Sequence, residues 1–581
     1  MEFDGQTELA YQLPEFEKEL TSQIPVSPSE LEIWLSELPL LNIQRLAYQL
    51  PKYVQEINRI KLSDKNRLEM LEQLRPIVAH VSGALTKQFR GGNLSLSIES
   101  QEIQWLLNIL ISEMAIGYKR LLFNVADKNP NWFNRNKYTL LAERAAHYLG
   151  ARICLSYLLS TTVPTHVWFE LNSTYSYARK LKLNTRTVRD EFAYEGMNKG
   201  NIDTIYNRVL LLTLVSPYSL RSAELEQVYY GLLPWLDGIK LLAVSGTMKN
   251  VHILNLKQDR GPEYQSVALH GDDKYSIDCT ELVKKLDTWI YTGNAPDSSL
   301  NKGMSRKLLV EVRTKLNSIE QRTDERFYNQ GEQVDVVIGL QDIDLFLNHI
   351  NSLVNDKQSP ILPVEVDEPE ITDDEEEIFW GDTNLEANRN ALRIHTEQNY
   401  LAKKHVHPVV HDEKSQEVRQ HVFDVENESE RGACLSCSYL HGSGLYIGEL
   451  MFIGGFDPQT WTLGIIRWMT VKGKKLEIGL YLLSSQVDQV IVKRVDSEGD
   501  IAINALWLAA GEHGDTILLP SAEFSTGDEL HLDHKGDETD VVLGRVVWNS
   551  EGFSQFCMTV KEAEEDDLAD DEDFLIPTWA K

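Results

Sequence analysis

The run WTLGIIRWMTVKGKKLEIGLYLLS, residues 461–484, decides the fold of the C-terminal half of this chain. It holds two apolar segments of strand length, rich in β-branched and aromatic residues, around the polar run KGKK. That pattern is typical of two β-strands. Further strand-length runs lie on both sides, from residue 418 to residue 560, separated by Gly, Asp and Ser turns. Closely spaced strands of this kind predict an antiparallel barrel or sandwich.

The first 235 residues or so show helical periodicity instead. In the run 65–89, apolar residues recur three or four positions apart: Leu68, Leu71, Leu74, Val78, Val81 and Leu85. Ser27-Pro28, with a Glu shortly after, has the composition of a helix N-terminus. We predict antiparallel helical hairpins without a repeat of fixed period. The fold class is therefore α+β multidomain, with an all-α N-terminal half and a C-terminal antiparallel β-barrel with additional β strands.

The formal net charge is -31, and much of it is local. Residues 365–377 and 562–573 each contain nine acids and no base. This balance argues against binding a nucleic acid polymer or an anionic membrane surface. The N-terminus does not resemble a signal peptide, and no apolar run is long enough to insert in a membrane. Five cysteines in this length indicate a reducing compartment, so we predict a cytoplasmic protein.

Two clusters of metal-binding residue types occur. Cys434 and Cys437 form C-x-x-C, but within a predicted strand, where packing as small apolar side chains is favoured over a metal or redox site. His405, His407 and His411 lie in a short segment with a Pro, which favours a solvated linker over a metal site. We therefore predict no metal and no cofactor. No P-loop is present, and we predict no enzymatic activity.

Asn427, Ser429 and Gly432 form N-x-S-x-x-G just before the apolar strands. Taken alone, this pattern is also typical of a polar β-turn. The strands after the motif are more specific. The run LGIIRW carries Gly464 and Trp468, and EIGLYLLS carries Gly479.

This order resembles the PilZ domain, the bacterial receptor module for cyclic di-GMP, over about 70 residues. The family pairs D/N-x-S-x-x-G with an upstream R-x-x-x-R and then shows G-x-V-x-W and a Gly-led closing strand. Arg322 and Arg326 are the favoured arginine pair, because they precede the predicted strand 333–338. Arg389 and Arg393 are the alternative pair. The favoured pair implies a split barrel, with a long acidic insertion after its first strand.

The resemblance divides the chain into seven parts. We predict an α-helical domain (1–235), a mixed α/β connecting region (236–315), the arginine motif and first barrel strand (316–350), a disordered acidic insertion (355–400), the remainder of the PilZ-like barrel (410–486), an additional β-rich module (487–560) and an acidic tail (561–581). In the connecting region, the runs KLLAVSG and VHILNL predict a small hairpin.

The resemblance also implies a ligand, cyclic di-GMP, held by Arg322, Arg326, Asn427, Ser429 and Gly432. An arginine can pair bidentately with a phosphate and stack on a base, and Asn and Ser can hydrogen-bond a guanine edge. Lys414 and Arg419 would add positive charge.

We predict a non-enzymatic signalling or adaptor protein that relays cyclic di-GMP binding to an unidentified protein partner through the helical half. The alternative is a ligand-independent interaction scaffold with a degenerate barrel. A hydrolase hidden in the helical half is a more remote rival.

Overall fold

The computed structural model describes most of the chain. The described residues are 9–17, 24–87, 98–128, 130–192, 199–244, 248–268, 273–294, 304–317, 325–328, 331–355, 420–438, 445–454, 461–473, 475–495, 502–521, 524–550 and 552–561. Both acidic runs and the three histidines of the 405–411 segment lie outside them.

The N-terminal half is helical, as predicted. Its helices are α1 (Pro28–Ser36), α2 (Ile43–Arg59), α3 (Asp64–Thr86), α4 (Ile98–Ala126), α5 (Arg135–Leu158), α6 (Val167–Lys180), α7 (Ile202–Leu214) and α8 (Ser222–Gly231). A two-stranded ribbon, β1 (Val188–Arg189) and β2 (Lys199–Gly200), and 3-10 turns at Pro217–Ser219 and Leu233–Gly238 join them. Ser27 caps α1, its hydroxyl accepting from the Glu30 amide at 3.4 Å. The apolar faces of these helices share one core.

A network of buried charges crosses this helical core. Arg75 and Arg144 each donate to the Asp190 carboxylate at 2.7 Å, and Arg144 also donates to Glu143 at 2.7 Å. Burial raises the pKa of Glu143 to about 7, although Arg144 opposes the shift. Removing one partner of a buried pair of this kind strongly destabilises a protein, because the other charge is left uncompensated.

The connecting region contains a sheet and two helices. Its elements are β3 (Lys240–Ala243), β4 (Met248–Asn255), β5 (Glu263–Ala268), β6 (Lys274–Asp278), α9 (Thr280–Thr292) and α10 (Arg306–Asn317). The sheet order is β3-β6-β4-β5. The prediction of a hairpin between β3 and β4 is therefore wrong. β6 lies between β3 and β4 and hydrogen-bonds to both, so β3 pairs with a later segment rather than with its neighbour in sequence.

The first barrel confirms the predicted antiparallel fold and its split first strand. Its strands are β7 (Gln333–Ile338), β8 (His421–Ser429), β9 (Gly432–Ser438), β10 (Leu450–Gly454), β11 (Thr462–Lys472) and β12 (Lys475–Ser484). They close in the order β10-β11-β12-β9-β8-β7. β7 pairs with β8 on one side and with β10 on the other, so it closes the barrel. Helix α11 (Leu340–Asn355) follows β7 directly.

The strands after residue 486 form a second closed barrel. They are β13 (Val487–Arg494), β14 (Ile503–Gly511), β15 (Gly514–Pro520), β16 (Glu529–His534), β17 (Asp537–Asn549) and β18 (Phe553–Val560). Their order is β13-β14-β15-β18-β17-β16. The sequence predicted these strands but not that they close into a barrel. The closure depends on the pairing of β13 with β16.

Helix α11 packs the two barrels together. Phe346 on this helix lies 4.5 Å, centroid to centroid, from Trp461, within an apolar core that also includes Leu506 and Leu508 of the second barrel. On the polar side of α11, Asp344 accepts from Gln489 at 2.7 Å. The barrels therefore share buried surface, and residues between them can build one site. No helix in the described part of the chain is long and apolar enough to cross a membrane.

Candidate functional site

The β8–β9 hairpin carries the N-x-S-x-x-G motif at its tip. Ser429 pairs with Gly432 across the turn, and Asn427 pairs with Cys434. The Ser429 hydroxyl donates to the Gly432 carbonyl at 3.3 Å. A Cβ at position 432 would lie 3.1 Å from the Leu480 carbonyl oxygen, so glycine permits this close backbone approach. Asn427 and Ser429 are half-buried.

Asn427 belongs to a row of side chains that crosses four strands. The register pairs Asn427 with Cys434, Cys434 with Gly479, and Gly479 with Trp468. Directly paired residues of antiparallel strands project to the same face. Residues next to this row along the strands fill the barrel core: Leu435, Met469, Ile478 and Leu480. The row therefore lies on the outer face of the barrel.

Trp468 lies across Gly479 on that face. A Cβ added at Gly479 would be 1.9 Å from the indole Nε1, closer than any real contact. The glycine therefore makes room for the ring, which stands at the opposite end of the row from Asn427. This pairing gives a physical reason for the spacing of the two apolar segments within residues 461–484.

The segment 325–328 brings one predicted arginine to the motif. Phe327 and Glu428 exchange two backbone hydrogen bonds of 2.9 Å in an antiparallel bridge. Extending that register by one residue sets Arg326 opposite Ser429 and Tyr328 opposite Asn427. Arg326 is exposed.

The charge of Arg326 reaches the same row. Burial, with Glu477 and Glu426, raises the pKa of the Cys434 thiol, whereas Arg326 and Lys472 lower it. Cys434 is the pair partner of Asn427, so the charge of Arg326 acts on a residue of this row. The Phe327–Glu428 bridge thus brings the Arg326 backbone to the hairpin that carries Asn427, Ser429 and Gly432.

The other predicted candidates divide into two groups. Arg322, Arg389, Arg393, Lys414 and Arg419 lie outside the described residues, so the choice between the arginine pairs stays a prediction. Cys434 and Cys437 are buried in β9, Cys437 in the barrel core. Within the described part of the chain, no group of three or more His, Cys, Asp or Glu side chains could hold a metal ion.

Sequence reasoning missed several polar and aromatic residues around the motif. Tyr481 pairs with Gly432, and its hydroxyl hydrogen-bonds the Glu512 carboxylate of the second barrel. Arg431, in the turn, lies 4.0 Å from the same carboxylate. Alternation along β12 indicates that Tyr481 shares a face with Gly479, but no local signal connects either residue to Glu512.

Two family models match the chain. Residues 251–488 match the family described as the middle PilZ domain of the cyclic-di-GMP receptor FimW. This chain contains a PilZ domain. Residues 29–244 match the N-terminal domain of the same receptor family. The first barrel lies within the PilZ match, whereas nearly all of the second barrel lies beyond both matched ranges.

A curated relative is similar to the chain over almost its full length. The cyclic-di-GMP receptor FimW of Pseudomonas aeruginosa is 24% identical over 572 residues, covering 94% of this chain and 93% of the relative. No solved structure matches the chain. The similarity thus extends through both the helical half and the PilZ domain.

Proposed function

We propose that this chain is a non-enzymatic receptor for cyclic di-GMP, bound on the outer face of its PilZ barrel. The observation that carries the proposal is the Phe327–Glu428 bridge, which sets Arg326 against the N-x-S-x-x-G hairpin. The family match and the FimW relative, named as a cyclic-di-GMP receptor, support the choice of ligand.

The chemistry of the row suits a dianion with two guanine bases. Arg326 supplies a guanidinium that can pair with a phosphate or stack on a base. Its side chain is exposed, so it can change rotamer when a ligand binds. Asn427 and Ser429 supply amide and hydroxyl groups for a guanine edge. Gly432 keeps the backbone open to close approach. Arg322, next to the described segment, would supply the second guanidinium of the arginine motif.

Calorimetric titration of the full chain with cyclic di-GMP tests this site. Loss of a hydrogen bond to a charged group costs about 1.5–3 kcal/mol, so Arg326→Ala should weaken binding roughly tenfold to a hundredfold. Asn427→Ala should weaken it as well. Arg494→Ala is a matched control, since Arg494 lies in the second barrel and pairs with Asp528 at 3.1 Å.

The outcomes separate the alternatives. Affinity that falls only in an Arg389→Ala/Arg393→Ala variant would show that the other arginine pair supplies the site. A wild-type chain that binds no cyclic di-GMP would refute the proposal and favour the ligand-independent scaffold.

Direct contacts between the helical half and the barrel support a relay of ligand binding. The amide of Val471, three residues beyond Trp468 on β11, donates to the Ser160 carbonyl at 2.7 Å. The Thr162 amide donates back to the Val471 carbonyl at 3.2 Å. Arg221, the N-cap residue of α8, donates to the Ile447 carbonyl at 3.2 Å. A ligand that shifts β11 would therefore act on the helices through hydrogen bonds.

Hydrogen exchange tests the relay. We expect saturating cyclic di-GMP to change the exchange rate of the Thr162 amide in the wild type, and to leave it unchanged in Arg326→Ala. Ligand binding that alters no amide between residues 158 and 165 would contradict the relay while leaving the receptor function intact.

An exposed aromatic pair in the helical half is a candidate for the partner contact. Trp132 and Phe133 are 85% and 87% exposed, and their rings meet edge to face at 5.2 Å. Aromatic residues dominate the binding energy of many interfaces. A Trp132→Ala/Phe133→Ala variant should keep its ligand affinity and melting temperature but lose the cellular response to cyclic di-GMP. A fully retained response would exclude this surface.

A further inference from the structure

A cavity of about 260 Å³ lies between the two barrels. The first barrel contributes Arg467 and Tyr481 to its wall, and the second contributes Glu512, Trp548 and Gln555. Pockets for drug-sized ligands occupy about 300–1,000 Å³. This cavity is therefore large enough for one small planar molecule and too small for a whole cyclic dinucleotide.

Two polar atoms in the wall are left without partners. Gln555 is only 4% exposed, and its Nε2 donates to the Thr516 hydroxyl at 2.9 Å. Its carbonyl Oε1 is buried and has no hydrogen-bond partner among the described residues, and the same holds for the indole Nε1 of Trp548. Such groups cost free energy unless something pairs with them, and both belong to side chains that line the cavity. A ligand there could satisfy them once these side chains turn toward it.

The remaining wall adds a flat surface and two opposite charges. The Arg467 guanidinium lies 4.7 Å from the centroid of the Trp548 ring, which gives a cationic and an aromatic surface close together. The Glu512 carboxylate accepts from the Tyr481 hydroxyl. Burial, with Glu512, raises the pKa of Tyr481 to about 12, so this phenol keeps its proton at neutral pH.

These groups discriminate between classes of ligand. A bare phosphate would suit Arg467 but would face the Glu512 carboxylate and the Gln555 carbonyl oxygen. An apolar molecule would leave the Gln555 and Trp548 polar atoms unpaired. A neutral heteroaromatic ring with both donors and acceptors on its edges, such as a purine base, would satisfy all of them.

The cavity adjoins the N-x-S-x-x-G hairpin. Tyr481 is the strand partner of Gly432, and Arg431 lies 4.0 Å from Glu512. Arg467 directly precedes Trp468 on β11. A ligand on the outer face of the PilZ barrel is therefore a close neighbour of the cavity.

We propose that the cavity between the barrels binds a purine base. The base belongs either to one end of the cyclic dinucleotide held at the motif, in which case the inference rests on the proposed receptor function, or to a separate purine mononucleotide. In both cases the second barrel, which lies almost wholly beyond the family matches, takes part in ligand recognition.

The test titrates the full chain with cyclic di-GMP and, separately, with guanosine monophosphate. Gln555→Leu removes the unpaired carbonyl at similar size, and Trp548→Phe removes the indole N–H but keeps an aromatic ring. Either variant can decide the question if the other fails to fold. Trp507→Phe is the matched control, because the Trp507 Nε1 is also buried without a partner but the side chain does not line the cavity.

We expect both cavity variants to bind the relevant ligand at least tenfold more weakly, with no change in the control. If cyclic di-GMP is affected and Arg326→Ala weakens it too, the base belongs to the dinucleotide. If guanosine monophosphate binds and is affected, with no sensitivity to Arg326→Ala, the base is a separate nucleotide.

The inference and the receptor function can fail separately. Motif-dependent binding of cyclic di-GMP with no effect of either cavity variant on either ligand would overturn the inference alone. Cavity-dependent binding of guanosine monophosphate by a chain that binds no cyclic di-GMP would overturn the receptor function alone.

Discussion

Replacing Gly479 by alanine should displace Trp468 from the outer face of the PilZ barrel. The new Cβ would stand 1.9 Å from Nε1, 2.1 Å from Cε2 and 2.6 Å from Cδ1 of the indole, whereas ordinary contact begins at 3.4 Å. The ring must therefore move by about 1.5 Å. Overpacking of this kind costs about 1–3 kcal/mol, and we expect the lower half of that range because Trp468 is only half-buried and can move outward.

A double-mutant cycle isolates this contact. The free energy of unfolding in urea would be measured for the wild type, Gly479→Ala, Trp468→Ala and the double variant. If the clash with the indole causes the loss, Gly479→Ala should cost close to nothing in the Trp468→Ala background. An equal cost in both backgrounds would refute the reasoning, because the loss would then arise in the backbone of β12. We also expect Gly479→Ala to weaken cyclic di-GMP binding.

Three further predictions concern buried groups of the helical half and of the connecting region. The free energy of unfolding of Glu143→Gln, relative to that of the wild type, should rise by about 3 kcal/mol as pH increases from 4.5 to 7. The folded wild type, with a Glu143 pKa of about 7 against an ordinary 4.5, resists ionisation and loses stability over that window. Asp190→Asn should cost about 3–5 kcal/mol in chemical denaturation, because two buried arginines lose their shared carboxylate. Cys154 and Cys279, whose thiol pKa burial raises to about 12, should resist alkylation at pH 8 until the chain unfolds.

Each of these has a contradicting result. Parallel pH profiles for Glu143→Gln and the wild type would show that this carboxyl does not titrate in that window. A loss below 1 kcal/mol in Asp190→Asn would mean that the arginines find other partners. Native-state alkylation of Cys154 at the rate of an unfolded control would show that the thiol is accessible.

Much of the fold can be predicted from local pattern, because helical and strand periodicity are properties of contiguous residues. The separation of the first barrel strand from the others could also be predicted, since Gln333–Ile338 comes after the favoured arginine pair. Strand pairing was not. The pairing of β3 with β6, and of β13 with β16, joins segments whose local sequence is compatible with several neighbours.

The candidate site divides in the same way. Asn427, Ser429 and Gly432 form a short motif that the sequence displays directly. The proximity of Arg326 depends on one backbone bridge, from Phe327 to Glu428, across an intervening segment of the chain. The cavity between the barrels could not be predicted, because Arg467 and Trp548 meet only after both barrels have closed.

The split of the PilZ barrel has a consequence during protein synthesis. β7 leaves the ribosome first of the barrel strands, yet its partners β8 and β10 are made only after the acidic segment. Until then its apolar residues Val336, Val337 and Ile338, all buried in the finished barrel, have no sheet to join, and an unpaired apolar strand is prone to aggregate. Once the partners exist, doubling the length of the intervening segment would add only about 0.6 kcal/mol to closure. The split therefore delays the pairing of β7 during synthesis but has little effect on the stability of the finished barrel. A change in the length of the acidic segment should likewise have little effect on that stability.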